Sequence, residues 1–289
     1  MLLPAFTDAH VHLGLADPRA LLPAGIAAVD DLGWDPRVAA TWPGTAGLPR
    51  VRFAGAFLTA AGGYPSGRAW APDAAVEPVA GPEHAAAAVG RQLAAGASFV
   101  KVVLHADAGP VLDDPTLAAL VAAAHSAGVD VVAHVEGPGQ TARAVAAGVD
   151  RLAHTPWSER LDDALVAAAA ATQAWVSTLD IHGWGDPTPQ QAVAQDNLRR
   201  FHAAGGLVVY GTDLGNGPLP EGLNLRELHL LAGAGLGTDG LLRALTSVRL
   251  PDLRTHVAAD ALPDDAHAFV DALRGATVIP APPTEGALA

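Results

Sequence analysis

The sequence predicts an α/β protein built as a single (β/α)8 TIM barrel, and three features carry that expectation. Short β-branched apolar runs alternate with Ala-rich stretches of helical period along most of the 289 residues. Eight such runs stand in the chain. Barrels of this kind reach about 250 residues as one unit, so the length does not force a second domain.

The strands are expected near Ala5 to His12, Ala27 to Leu32, Val51 to Thr59, Phe99 to Leu104, Val129 to Val135, Arg151 to His154, Ala174 to Leu179 and Leu207 to Thr212. Between them, Asp114-Pro115 opens a helix that Gly128 closes and Thr188-Pro189 opens one that Gly205 closes. Thr238-Asp239 reads as the cap of a third. The stretch from Leu58 to Glu83 is rich in Gly, Pro and Trp without a period, and reads as a long loop after the third strand. Past Ser247 the pattern weakens. Residues 1–279 are therefore expected to form one catalytic domain, and 280–289, within IPAPPTEGALA, a disordered tail. Because the first strand begins almost at Met1, the lower rim of the barrel is expected to be covered by the tail or by a second subunit.

Composition narrows the function. Half of the residues are hydrophobic and only 5% are aromatic, so the core rests on Ala, Val and Leu. A net charge of −13 argues against a nucleic-acid partner or an acidic membrane surface, both of which need clustered cations. With no cysteine, disulfides and thiolate metal sites are excluded, and any metal must sit on His, carboxylate or modified Lys. The opening MLLPAF is too short for a secretory signal, and no apolar run is long enough for a membrane span, so a cytoplasmic location is expected. Of the 17 basic residues, Lys101 is the sole lysine.

The chemistry-bearing residues form a series. His10-Val11-His12 lies on the first strand, where residues two apart share a face and both imidazoles can reach one ion. Alone this says little, since random placement of these histidines gives about 0.5 such pairs. Lys101 then falls in the fourth strand, His134 and His154 end the fifth and sixth, and Asp213 follows the eighth. The C-terminal ends of barrel strands form the catalytic face, so these residues are expected to converge. An ammonium has no lone pair to offer a metal, but a neutral lysine reacts with carbon dioxide to give a carbamate whose two oxygens can bridge two ions. Neutral imidazoles with a carbamate, a carboxylate and a bridging hydroxide nearly offset two divalent ions, leaving a cluster that tolerates burial.

The segments FTDAHVHL, AVDDLG, AGASFVKVVL, VVAHVEG, AAGVDRLAHT and VVYGTDLGN, in this order, resemble the amidohydrolase superfamily, in particular its binuclear prolidase-like and imidazolonepropionase-like branch. The resemblance runs roughly from Phe6 to Ser247. It implies one metal on His10, His12 and Asp213, a second on His134 and His154, and Lys101 as the carboxylated bridge. Asp213 would double as the catalytic proton shuttle. The implied cofactors are two divalent ions, zinc first, with iron or manganese also compatible. One departure is plain: the family's longer N-terminal segment is missing, so the flanking β-sandwich is expected to be largely absent.

Substrate contacts are sought in Tyr64 and Arg68 of the long loop, where an Arg fork would suit a carboxylate, and in His182, beside Trp184 in DIHGWG. His105 also follows a strand and could face the mouth. The leading expectation is hydrolysis of an amide, cyclic amide, peptide-like or ester bond of a small molecule by a metal-bridging hydroxide. The same ligands suit a dinuclear non-heme iron or manganese oxygenase, which is the alternative. A silent binding protein is disfavoured, because binding alone requires neither a shuttling Asp nor a bridging Lys. Homo-oligomerisation stays open.

Overall fold

A computed structural model describes residues 1–282, and the last part of the expected tail, 283–289, lies outside the described residues. In chain order the elements are β1 (Leu2–Pro4), β2 (Phe6–Val11), β3 (Ile26–Asp31), α1 (Pro36–Ala39), β4 (Arg50–Phe53), β5 (Phe57–Thr59), β6 (Val76–Pro78), α2 (Pro82–Ala94) and β7 (Val100–His105). There follow α3 (Asp114–Ser126), β8 (Val131–Glu136), α4 (Gln140–Ala146), β9 (Arg151–Leu152), α5 (Asp163–Thr172), β10 (Ala174–Val176), α6 (Pro189–Ala203) and β11 (Leu207–Val209). The chain ends in α7 (Leu225–Gly233), α8 (Thr238–Leu245), β12 (Leu253–His256), α9 (Ala266–Ala272) and β13 (Thr277–Pro280).

The result is a mixed α/β fold around a seven-stranded parallel sheet, ordered β11-β10-β9-β8-β7-β5-β6. A second parallel sheet, β2-β3-β4, lies beside it. The expected βα alternation is present, whereas among the described residues a single strand ladder closed on itself is not. The expected third strand, Val51 to Thr59, divides into β4 and β5, one in each sheet. At the break Gly55 takes φ +78, and a side chain there would run into the side-chain carbonyl of Gln92. Gln92 Oε1 instead accepts the Ala56 N–H at 2.8 Å. At the opposite seam the two sheets are tied by Ala9 N–H to Tyr210 O at 3.0 Å, Asp213 N–H to His10 O at 2.8 Å and His12 N–H to Leu214 O at 2.8 Å.

Part of the expected long loop is ordered as β6, which pairs with β5. Away from the parallel sheets, β1, β12 and β13 form an antiparallel sheet that joins the two ends of the chain. Pro280 pairs with Leu253, and Ala281 N–H reaches Asp252 O at 2.8 Å, so regular pairing continues past the expected boundary at 279. This sheet meets the start of the first strands, with Val278 N–H on Leu22 O at 3.1 Å.

The helices start as their sequences require. Asp113 accepts the Thr116 N–H ahead of α3, and Thr188 accepts the Gln191 N–H ahead of α6, each with Pro in the first turn. Thr238 is the exception: Gly237 caps α8, and the Thr238 hydroxyl donates to Pro263 O and Asp264 O instead. Small apolar residues carry the packing, with Leu117, Leu120 and Ala124 of α3 fully buried. Each such Leu contributes about 2 kcal/mol by leaving water. Trp175 stacks on Phe201 with centroids 3.9 Å apart, fixing α6 against β10. Among the described residues no helix is long and apolar enough to cross a membrane.

Candidate metal centre

The C-terminal ends of the strands open on a cavity of about 340 Å³, whose wall contains His10, His12, Lys101, His134, His154 and Asp213. All six residues singled out by the sequence series are therefore together. They arrive differently. His10 and Lys101 are strand residues, whereas His154 stands beyond the end of β9 and Asp213 beyond the end of β11, both strands being shorter than expected. Asp213 adopts φ +60 and Thr178, which holds His154, adopts φ +43.

Proton accounting at His10 and His12 is informative. His10 Nδ1 is 2.7 Å from Ala153 O and His12 Nδ1 is 3.1 Å from Gly33 O. A carbonyl can only accept, so both Nδ1 atoms carry the proton and both Nε2 atoms face Asp213. Burial lowers His12, but without a cation at this point the Asp213 carboxylate more than offsets it and raises the imidazole above its usual range. Those Nε2 atoms lie 3.3 Å apart, and 3.1 and 3.2 Å from Asp213 Oδ1. Three possible ligand atoms thus converge on one point, and Asp213 Oδ1 makes no hydrogen bond of good geometry. Burial holds His10 and His154 well below the usual imidazole range, which keeps their rings neutral. A cation at the meeting point satisfies all three donors, so the residues fit a metal ion.

Lys101 gives the second observation. Its side chain is 1% exposed, and Nζ has no hydrogen-bond partner. Burial lowers the ammonium from 10.5 to about 7, with Asp213 opposing and Arg151 assisting. The neutral amine is thus accessible near pH 7, the form that can be carboxylated.

On the far side, His154 Nδ1 meets Thr178 Oγ1 at 3.0 Å, and its ring lies 4.6 Å from that of His10 and 4.9 Å from that of His134. His134 Nε2 is 3.2 Å from Glu136 Oε2, and His105 Nε2 is 3.0 Å from Glu136 Oε1. The tight cluster around His134 is thus made with His105 and Glu136, while His154 adjoins it through its ring. Glu136 is buried enough to be pushed up, but its hydrogen bonds to His105 and His134 prevail and hold it down at about 2.

Beneath these groups, buried carboxylates fix the backbone. Asp8 Oδ1 accepts from His10 N–H at 3.1 Å and Thr212 N–H at 3.0 Å, while Oδ2 takes the Thr212 hydroxyl at 2.6 Å. It therefore clamps the histidine strand to the segment carrying Asp213. Asp31 accepts from Leu13 N–H at 2.7 Å and Gly33 N–H at 3.2 Å, setting the carbonyl that holds His12.

Of the expected substrate contacts, Tyr64 and His182 line the cavity. Burial, with Asp213 and Glu136 adding to it, raises the Tyr64 phenol to about 12, and burial lowers His182 to about 4. Both are neutral hydrogen-bonding groups at pH 7. Arg68 is exposed and absent from the cavity wall, with its guanidinium 5.6 Å over the Tyr64 ring. Trp184, the expected aromatic wall, is also exposed; Trp157 stands in that role, 5.1 Å from the His182 ring. Sequence reasoning missed Glu136, Trp70, Trp157 and Thr178, and ranked His105 below His182. Glu136 lay within the quoted VVAHVEG, two residues from His134 on the same face of its strand, and that spacing was the available signal.

No protein-family description matches this sequence, nor does any curated protein. Solved structures do. A Xaa-Pro dipeptidase with methionine bound in its active site is similar at 20% identity and a TM-score of 0.74, over 94% of this chain and 84% of that one. A putative prolidase from Bifidobacterium longum is similar at 25% identity and a TM-score of 0.68, over 84% and 68%. A bottromycin amidohydrolase is similar at 22% identity and a TM-score of 0.65, over 85% and 66%. The chain shares its fold with these enzymes.

Proposed function

We propose that this chain, whose structural neighbours are dipeptidase, prolidase and amidohydrolase enzymes, is a prolidase-like hydrolase of the amidohydrolase superfamily. It cleaves an amide, cyclic amide, peptide-like or ester bond of a small molecule. The two parallel sheets are read as one (β/α)8 barrel interrupted at Gly55. The carrying observation is the convergence of His10 Nε2, His12 Nε2 and Asp213 Oδ1 beside the unpartnered amine of Lys101.

His10, His12 and Asp213 would hold one divalent ion, His134 and His154 a second, and carboxylated Lys101 would join them. When bound, such ions would supply a Lewis acid for the scissile carbonyl and lower the pKa of a bound water. The chain's own groups do the rest. Asp213 Oδ2 is anchored by Asn216 Nδ2 at 2.9 Å, which turns Oδ1 towards His10 and His12, and the carboxylate is the base that would take a proton from the attacking water and deliver it to the leaving group. Tyr64 and His182, both neutral, orient the substrate by hydrogen bonds, and Phe57 and Trp70 exclude bulk water from one side.

The test is the source of the oxygen incorporated into product. Turnover of an amide or ester in labelled water should place one label in the carboxyl product. Label arriving only from dioxygen, with a requirement for reductant, would replace this reading with the oxygenase alternative.

A further inference from the structure

The cavity has an electrostatic character that separates it from a site for amino-acid carboxylates. Among the residues lining it there is no arginine, and Lys101 is the only cation-forming side chain other than histidine. Lys101 is buried and is committed to the metal cluster in the reading above. Arg68 is exposed, does not line the cavity and holds its guanidinium over the Tyr64 ring. His182, the histidine beside Trp157, is neutral at pH 7 and offers a carboxylate one hydrogen bond without charge.

What the wall does carry, besides the Asp213 of the metal reading, is a second carboxylate. Glu136 lines the cavity with each oxygen engaged once, Oε1 by His105 at 3.0 Å and Oε2 by His134 at 3.2 Å. An ionised carboxylate offers about four acceptor positions, so Glu136 retains capacity for a donor from the cavity. Phe57, Trp70, Trp157 and Ile181 give the wall apolar stretches beside its polar residues. In such surroundings a substrate carboxylate near Glu136 is repelled and an N–H or ammonium is attracted, each more strongly than in water.

We propose that the substrate is an apolar amide that brings a further N–H or ammonium donor to Glu136 and carries no free carboxylate, which sets this site apart from one for dipeptides. The word amide rests on the hydrolytic reading above; the donor and the missing carboxylate rest on the wall itself.

Two matched series test it on the metal-loaded protein. N-benzoylethylenediamine, N-benzoylglycinamide and N-benzoylglycine vary the amine side from ammonium to neutral amide to carboxylate. Glycine anilide, malonamide anilide and malonanilic acid vary the acyl side in the same way. Calorimetric binding should favour the ammonium and neutral members over the carboxylate by at least about tenfold in one series or both. In Glu136→Gln, with metal content verified, the ammonium member should lose its advantage over the neutral one. Arg68→Ala should leave the order unchanged. Equal or tighter binding of the carboxylates in both series, an order that depends on Arg68, or no binding by any member would overturn the proposal. The wild-type order decides even where Glu136→Gln does not fold. Binding is read independently of turnover, so a protein that shows this order without hydrolysing any member would contradict the hydrolytic reading alone.

Discussion

Replacing Lys101 by Met should make the metal-free protein more stable while removing its capacity to bind metal. Methionine nearly matches lysine in length and apolar volume, so the packing of β7 is retained and the amine alone is lost. The lysine ionises at about 7 in the folded protein and at 10.5 in the reference state. Carrying the ammonium in the folded protein therefore costs about 5 kcal/mol relative to the unfolded chain. The sign follows from proton binding. Between pH 7 and 10.5 the unfolded chain keeps a proton that the folded chain has released, so wild-type stability rises with pH across that window. The penalty is complete below pH 7 and gone above 10.5. Urea denaturation in decarbonated, metal-free buffer should therefore find Lys101→Met more stable by about 4 kcal/mol at pH 7, where the folded lysine is half-titrated, with the gap closing towards pH 10.5. A variant no more stable than wild type at pH 7, or a gap that does not change with pH, would refute the argument. In either case Lys101 would not be the buried, readily neutralised amine that carboxylation requires.

Two further perturbations separate chemistry from architecture. Asp213→Asn keeps the shape and one carbonyl oxygen but removes the basicity, so turnover should fall by at least about a hundredfold while much of the metal remains in elemental analysis; unchanged turnover would remove Asp213 from proton transfer. Glu227, fully buried with Oε1 unpartnered, is raised from 4.5 to about 7 chiefly by burial, and its Oε2 accepts the Asp180 N–H at 2.7 Å. The folded protein therefore retains that proton while the unfolded chain loses it, and wild-type stability should fall by about 3 kcal/mol relative to Glu227→Gln between pH 4.5 and 7. Parallel stability profiles for the two proteins would show that Glu227 is not protonated in the fold.

Which parts of this were legible in the sequence follows from the range of the interactions. His10 and His12 were readable because strand alternation alone puts them on one face, and Lys101 because an apolar run makes a sole lysine conspicuous. The convergence of His134, His154 and Asp213 on the same cavity followed from the rule that strand ends share a face. Glu136 was not singled out although it stands two residues from His134 on one strand; its second partner, His105, belongs to another strand and meets it only in three dimensions. Tyr64 and Arg68 lie in one loop and look equivalent, yet only Tyr64 enters the cavity. The split of the third strand is a tertiary effect, in which the Gln92 side chain of α2 takes a backbone N–H where a ladder would have continued. The pairing of β1 with β12 joins the two ends of the chain, where neither local propensity nor period carries a signal.

The central claim is that the converging histidines, Asp213 and Lys101 hold two divalent metals. Element-specific analysis of protein expressed without added metal, run beside Lys101→Ala, addresses it most directly. Two ions per wild-type chain, with zinc predominant and at least one lost in the variant, is the predicted result. A wild-type chain without stoichiometric metal, or a fully metallated and active Lys101→Ala, would contradict it.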